Sequence, residues 1–355
     1  LDEPTAVLTP QESEALFATL GQMVAQGLSI IFISHKLGEV LRVSDRVAVL
    51  RGGKLVAEAD AAGTTQAQLA QWMVGHAVSA TQRHPTAVPT AARVDVCTLD
   101  AVSTASSGRE RLNAVSLSLK AGEIVAIAGV SGNGQRALAD LLCGMRAAVS
   151  GSVEFLGQPM ASSPARLVAQ GVARIPEDRH AVGVVGDLAV WENAVSERLR
   201  STAFSRFGWV RRERARTHAG AIVNAFDVRG GGLHAPARAL SGGNMQKLIL
   251  GRALLAPACG TSAPVPKLIV AHQPTWGLDI GAVSYVQQQL MAARDAGAAV
   301  LVISDDLDEV MALGDRIAVM HAGHLTAALP AEAWTRERIG LAMAGVDAAV
   351  ATHPS

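Results

Sequence analysis

The chain repeats part of itself. Asp2-Glu3-Pro4-Thr5 aligns with His272-Gln273-Pro274-Thr275 at an offset of 270 residues. The same offset carries Ser34-His35 onto Ser304-Asp305, Asp45-Arg46 onto Asp315-Arg316, Gly53 onto Gly323, Met73 onto Met343 and Gly75 onto Gly345 without a gap. Register held over that distance is the signature of one structural unit used twice. In each copy a Pro-Thr turn precedes a helix-length segment, a short apolar run (29–34, 299–304), a helix ending at Asp-Arg and a β-rich stretch (47–56, 317–326). Strands alternating with helices predict an α/β fold around a mostly parallel sheet.

The length of 355 residues exceeds what one core normally organises, so we expect a part domain over 1–80, a linker over 81–93, a whole domain over 94–345 and a tail over 346–355. The linker TQRHPTAVPTAAR has Pro, Thr and Ala and little apolar patterning. After it, alternation at residues 115–119 predicts a strand, Ala121-Gly122-Glu123 a turn and residues 124–128 a buried strand. The 31 basic and 31 acidic residues cancel, and no Lys/Arg run reaches five, which argues against a nucleic-acid partner. Cys97, Cys143 and Cys259 lack metal-site or Cys-x-x-Cys spacing and read as free thiols. No apolar run approaches the ~20 residues of a membrane span.

Residues 129–136 read Gly129-Val130-Ser131-Gly132-Asn133-Gly134-Gln135-Arg136, between the predicted buried strand and a helix-like run. This is the glycine skeleton of a P-loop, in which backbone N–H groups wrap phosphates at a helix N-terminus. Gln135 stands where Lys normally reaches the β/γ-phosphates, and Arg136 where a hydroxyl normally ligates Mg²⁺. A second anion-binding pattern is Leu240-Ser241-Gly242-Gly243-Asn244-Met245-Gln246 before an amphipathic segment. Helix capping alone accounts for Ser241 but not for two glycines followed by Gln246.

The run 240–246 matches the ABC signature LSGGxxQ, and over residues 1–345 the chain resembles the twin-cassette ATP-binding subunit of bacterial carbohydrate- and nucleoside-type ABC importers. Ile175-Pro176-Glu177-Asp178-Arg179-His180, with Gly183 and Trp191-Glu192-Asn193, resembles the segment that replaces the usual Q-loop in that family's second cassette. GVSGNGQ at 129–135 and HQPTWGLDIGA at 272–282 lean toward the nucleoside branch. The resemblance implies an ABC cassette with a parallel core sheet, an antiparallel β subdomain and a helical subdomain. Its partners would be membrane permease subunits, fed by a solute-binding protein, with the ATPase peripheral on the cytoplasmic face.

The family arrangement, two cassettes head to tail, further implies one catalytic ATP site. Asp2 would hold Mg²⁺ through water, Glu3 polarise the attacking water, and His35 contact the γ-phosphate, while Ser241, Gly242, Gly243 and Gln246 close the site from the other side. The second site, with Gly129, Ser131, Gly132, Asn133, Gly134, Gln135 and Arg136, has His272, Gln273 and Asp305 in place of the catalytic groups. Gly129 precedes His272 by 143 residues, so a first P-loop is expected about that far before Asp2, outside the 355 residues, and we expect those residues alone not to hydrolyse ATP. The alternatives are a non-catalytic remnant and a soluble cassette protein acting on ribosomes or DNA; the short, charge-poor linker disfavours the latter. Residues 94–104, the expected adenine-stacking region, contain no aromatic side chain, and residues 259–267 form a longer connection than the family usually has.

Overall fold

A computed structural model describes residues 1–5, 8, 10–34, 36–51, 53–74, 83, 84, 93–105, 110–255, 257 and 266–345. His35, most of the linker, most of the 259–267 connection and the 346–355 tail lie outside the described residues. The first unit comprises α1 (Pro10–Ala25), α2 (Leu37–Val43), β1 (Arg46–Arg51), β2 (Lys54–Asp60) and α3 (Gln66–Val74). Strands β1 and β2 form an antiparallel ladder, and Val47, Val49, Ala61 and Leu69 bury its one apolar face against α3.

The second unit opens with β3 (Asp95–Thr104), β4 (Val115–Lys120), β5 (Glu123–Ala128), α4 (Gln135–Leu142), β6 (Ala148–Phe155), β7 (Gln158–Pro159), α5 (Pro164–Gln170) and β8 (Val172–Ile175). It continues through α6 (Val190–Val195), the short strands β9 (Ser205–Arg206) and β10 (Trp209–Val210), α7 (Arg212–Ala225) and α8 (Gly242–Leu254). It closes with β11 (Leu268–His272), α9 (Ile280–Asp295), β12 (Ala299–Ser304), α10 (Leu307–Leu313), β13 (Arg316–His321), β14 (His324–Leu325), β15 (Leu329–Pro330) and α11 (Arg336–Met343).

Strands β13, β5, β12, β11 and β8 run parallel in that order, with β14 and β15 pairing antiparallel to β13 at the edge. Every residue of β5, β11 and β12 is buried, as expected of strands covered on both faces. Alternate residues feed opposite cores: Ile124, Ile269 and Val300 pack under α6 to α9, whereas Val125, Val270 and Leu301 face α4 and the antiparallel sheet β4-β3-β6-β7. Burial alternates along β4 as the sequence predicted. The result is the ABC cassette fold, with parallel core, antiparallel β layer and helical subdomain.

The repeat is reproduced in three dimensions. Thr5 donates to Glu39 at 2.5 Å, and Thr275 donates to Glu309 at 2.8 Å, each pair clasping a Pro-Thr turn to a following helix. The N–H of Glu3 bonds the carbonyl of Ile33 at 2.9 Å, and that of Gln273 the carbonyl of Ile303 at 2.7 Å. Glu3 and Gln273 share the left-handed backbone, with φ of 44° and 49°. One element differs. Residues 299–304 form β12 between β5 and β11, but residues 29–34 form no strand and retain a single bridge, Asp2 to Ile33. A strand persists through ladders on its flanks, and this run has a ladder partner at one residue only; Ile31 stays 79% exposed. The described linker residues are tied to the second unit: Arg83 donates to the Gly314 carbonyl and pairs with Glu332, and His84 meets Asp295 at 2.8 Å.

Candidate nucleotide-binding sites

The carboxyl ends of parallel strands form the usual ligand crevice of an open α/β sheet. Here β5 leads into the 129–136 loop, β8 into Glu177, β11 into His272 and Gln273, and β12 into Asp305. Gly134 caps α4 at φ 112°, and a Cβ there would fall 2.6 Å from the Arg111 carbonyl, so this turn requires glycine.

The loop is closed on itself. Gln135, only 4% exposed, donates from Nε2 to the Val130 carbonyl at 2.7 Å and accepts the Asn133 N–H at 2.9 Å. Asn133 also donates to the Val130 carbonyl at 2.8 Å and accepts the Ala322 N–H at 2.9 Å. Gln135 thus turns inward and occupies a backbone donor that phosphate would otherwise take. The Arg136 side chain is exposed and lies 3.7 Å from Asp140, and Ser131 is exposed at the loop tip. The Ala137 N–H at the start of α4 is met at 3.3 Å by the Glu110 carboxylate.

Carboxylates and cations share the walls of this crevice. Burial, then repulsion from Asp305, raises the Glu177 carboxyl above its ordinary range, with Arg136 opposing and Glu110 adding to the shift. Asp305 is likewise raised, chiefly by burial. His272 is pushed down to about 4 by burial, then by Arg174 and Arg136. Its Nδ1 lies 3.7 Å from Glu177, but a neutral imidazole makes that contact a dipolar one rather than an ion pair. Glu309, fully enclosed behind the same strands, rises to about 7 through desolvation, against hydrogen bonds from Ser304 and Thr275.

At the signature, Ser241 caps α8, its Oγ accepting the Asn244 Nδ2–H at 2.9 Å and the Asn244 N–H at 3.5 Å. Its own proton stays available to an outward acceptor, beside the first N–H groups of α8 at Gly242 and Gly243. Gln246 differs from its expected orientation: it is 2% exposed and donates to the Pro274 carbonyl at 2.8 Å, bracing α8 against the turn after β11. Asp2 is exposed, and Glu3 accepts from the Ser34 hydroxyl at 3.4 Å. Among the described residues no hydrogen bond from Ser241 or Gln246 reaches Asp2 or Glu3.

Sequence reasoning passed over Arg179 as a site residue. It sits in a five-residue π-helical turn at 179–183, donates to the carbonyls of Trp276 at 2.7 Å and Gly277 at 3.0 Å, and lies against Gly242. One guanidinium therefore touches the segment after β8, the signature and the turn before α9. Glu110 was missed as well, and Glu177 was noted only as part of the 175–180 segment; a lone carboxylate carries no spacing signal, and only the fold gathers the two.

A family profile described as ABC transporter matches residues 112–259. The chain is 41% identical to a glucose import ATP-binding protein of Haloferax volcanii, covering 99% of this chain and 63% of that protein. It is 37% identical to a nucleoside import ATP-binding protein of Lactococcus lactis, over 97% of this chain and 66% of the relative. A ribose import ATP-binding protein of Rubrobacter xylanophilus is 36% identical, over 99% of this chain and 67% of the relative. The chain thus spans about two thirds of the length of these relatives. A solved ABC-transporter ATP-binding cassette in its ADP conformation superposes with a TM-score of 0.54 at 22% identity, covering 73% of this chain and 99% of that one.

Proposed function

This chain belongs to the family of ATP-binding subunits of sugar and nucleoside ABC importers, and from that premise we propose that it couples ATP hydrolysis at one site to solute import through separate permease subunits. The observation carrying the reading is the matched geometry of Glu3 and Gln273, a carboxylate and an amide on the same left-handed turn of the two copies. Glu3 can polarise a water; Gln273 cannot accept its proton.

In this reading Glu3 orients the attacking water and His35 steadies the γ-phosphate, while Ser241 and the N–H groups of Gly242 and Gly243 donate to it from the signature side. The first-copy carboxylates suit Mg²⁺, which takes one or two carboxylates with phosphates and water; the neutral His272 and cationic Arg136 of the second copy do not. When bound, Mg²⁺ supplies charge neutralisation at the phosphates, and Asp2 holds it. Residues 1–355 contain no P-loop lysine, so hydrolysis requires a lysine-bearing loop from outside them. The second crevice, with Gln135 folded inward and Glu110, Glu177 and Asp305 around it, is non-hydrolytic.

The subunit works at the cytoplasmic membrane face, and among the described residues no helix is long and apolar enough to span a membrane. The segment after β8 carries cassette motion to the permease, with Arg179 linking it to the signature. Glucose, ribose and guanosine uptake by cells carrying or lacking the gene tests the function. Loss of uptake of one sugar or nucleoside class on deletion is expected; unchanged uptake of all of them contradicts it.

A further inference from the structure

The chain's zero net charge hides a local concentration. Between residues 198 and 216 stand seven arginines and one acid, Glu213. Folding brings four of them, Arg200, Arg206, Arg211 and Arg214, around a cleft of about 560 Å³ whose lining includes no carboxylate. Among the described residues none of these four forms an ion pair; Arg206 instead stacks over the Phe207 ring at 5.2 Å. Arginines grouped in this way, without carboxylate partners among the described residues, raise a local positive potential.

The cleft is bounded by the β9–β10 hairpin. Its base is firmly set: Phe204 is fully buried against His218, with ring centroids 5.2 Å apart, and the Arg211 N–H bonds the Phe204 carbonyl at 2.8 Å. Its tip is apolar: Phe207 is 88% exposed and Trp209 81% exposed, in a chain with only 3% aromatic residues. Phe207 and Gly208 take φ of 51° and 82°, the two-residue turn in which asparagine and glycine are the comfortable choice. A phenylalanine held at such a position serves its exposed ring rather than the turn.

Aromatic side chains projecting from a ring of arginines match the anionic interface of a lipid bilayer, where rings enter the headgroup region and guanidinium groups meet phosphates. A single-stranded nucleic acid demands a groove along which successive bases stack on several rings, whereas among the described residues Phe207 is the one aromatic residue lining this cleft. We propose that the β9–β10 hairpin and its arginine cleft dock directly on an anionic phospholipid surface. This contact is additional to any made with permease subunits and does not depend on the nucleotide sites.

The test is co-sedimentation of the 355-residue chain with vesicles of phosphatidylcholine alone or mixed equally with phosphatidylglycerol. Binding is expected only to the mixed vesicles, weakened by salt, with a blue shift of tryptophan emission that Trp209→Phe diminishes. Each arginine near an anionic surface strengthens binding about fivefold, so Arg206→Gln/Arg211→Gln/Arg214→Gln loses about a hundredfold. Phe207→Asn, which the turn favours, weakens binding while leaving thermal stability equal or higher. The proposal is overturned by equal binding to neutral vesicles, by no binding, by variants that bind as the parent does, by RNA or DNA outcompeting the vesicles at these arginines, or by binding that appears only when permease subunits are present.

Discussion

Glu309→Gln isolates the energetics of the clasp behind the second crevice. Glu309 is 2% exposed and accepts the Thr275 hydroxyl at 2.8 Å through Oε1, with Ser304 also on the carboxyl. Burial, with Asp306 and Asp305 nearby, raises it from 4.5 to about 7. A carboxyl raised on folding contributes its stability in the protonated form, fully below its unfolded value and progressively less as pH climbs through the folded one. At ~1.36 kcal/mol per unit, the shift implies about 3 kcal/mol lost between pH ~4.5 and pH ~8. Glutamine keeps the acceptor for Thr275 and removes the titration. In urea unfolding followed across pH, parent and variant should therefore coincide near pH 4.5, and the variant should lead by about 3 kcal/mol at pH 8 and above. A difference that does not change with pH, or a variant weaker throughout, refutes the reasoning.

Arg179→Lys should lower stability by about 1–2 kcal/mol in urea, because one ammonium cannot reproduce the fork onto the Trp276 and Gly277 carbonyls. In the assembled transporter it should reduce uptake more than phosphate release. His272, at about 4, should show no imidazole titration by NMR between pH 6 and pH 8. Gln135→Lys should leave phosphate release unchanged, since His272 and Gln273 remain, and should cost about 2 kcal/mol in urea for two lost hydrogen bonds.

The repeat was legible because its marker residues hold one register, and the fold preserves it in the Thr5–Glu39 and Thr275–Glu309 clasps. The P-loop skeleton and the capped signature helix were legible because glycine positions and a Ser cap impose local geometry wherever they occur. Side-chain direction was not. Position alone puts Gln135 and Gln246 where a family phosphate contact belongs, yet both amides satisfy carbonyls inside the protein. The run 29–34 has the composition of a strand, and strand formation depends on neighbours that composition does not name. The grouping of Glu110, Glu177 and Asp305 is a tertiary assembly of residues far apart in the chain, invisible to any window along it; the arginines at 200–214 are close in sequence, and only the fold shows that they share one cleft.

The central claim is that hydrolysis belongs to the first copy's carboxylate and not to its counterpart in the second. Phosphate release is best measured with this chain joined to a cassette carrying a P-loop lysine and to its permease, comparing Glu3→Gln with Gln273→Ala. The account predicts a fall of about a hundredfold or more for Glu3→Gln and a change within about twofold for Gln273→Ala. Hydrolysis that survives Glu3→Gln, or collapses with Gln273→Ala, contradicts it.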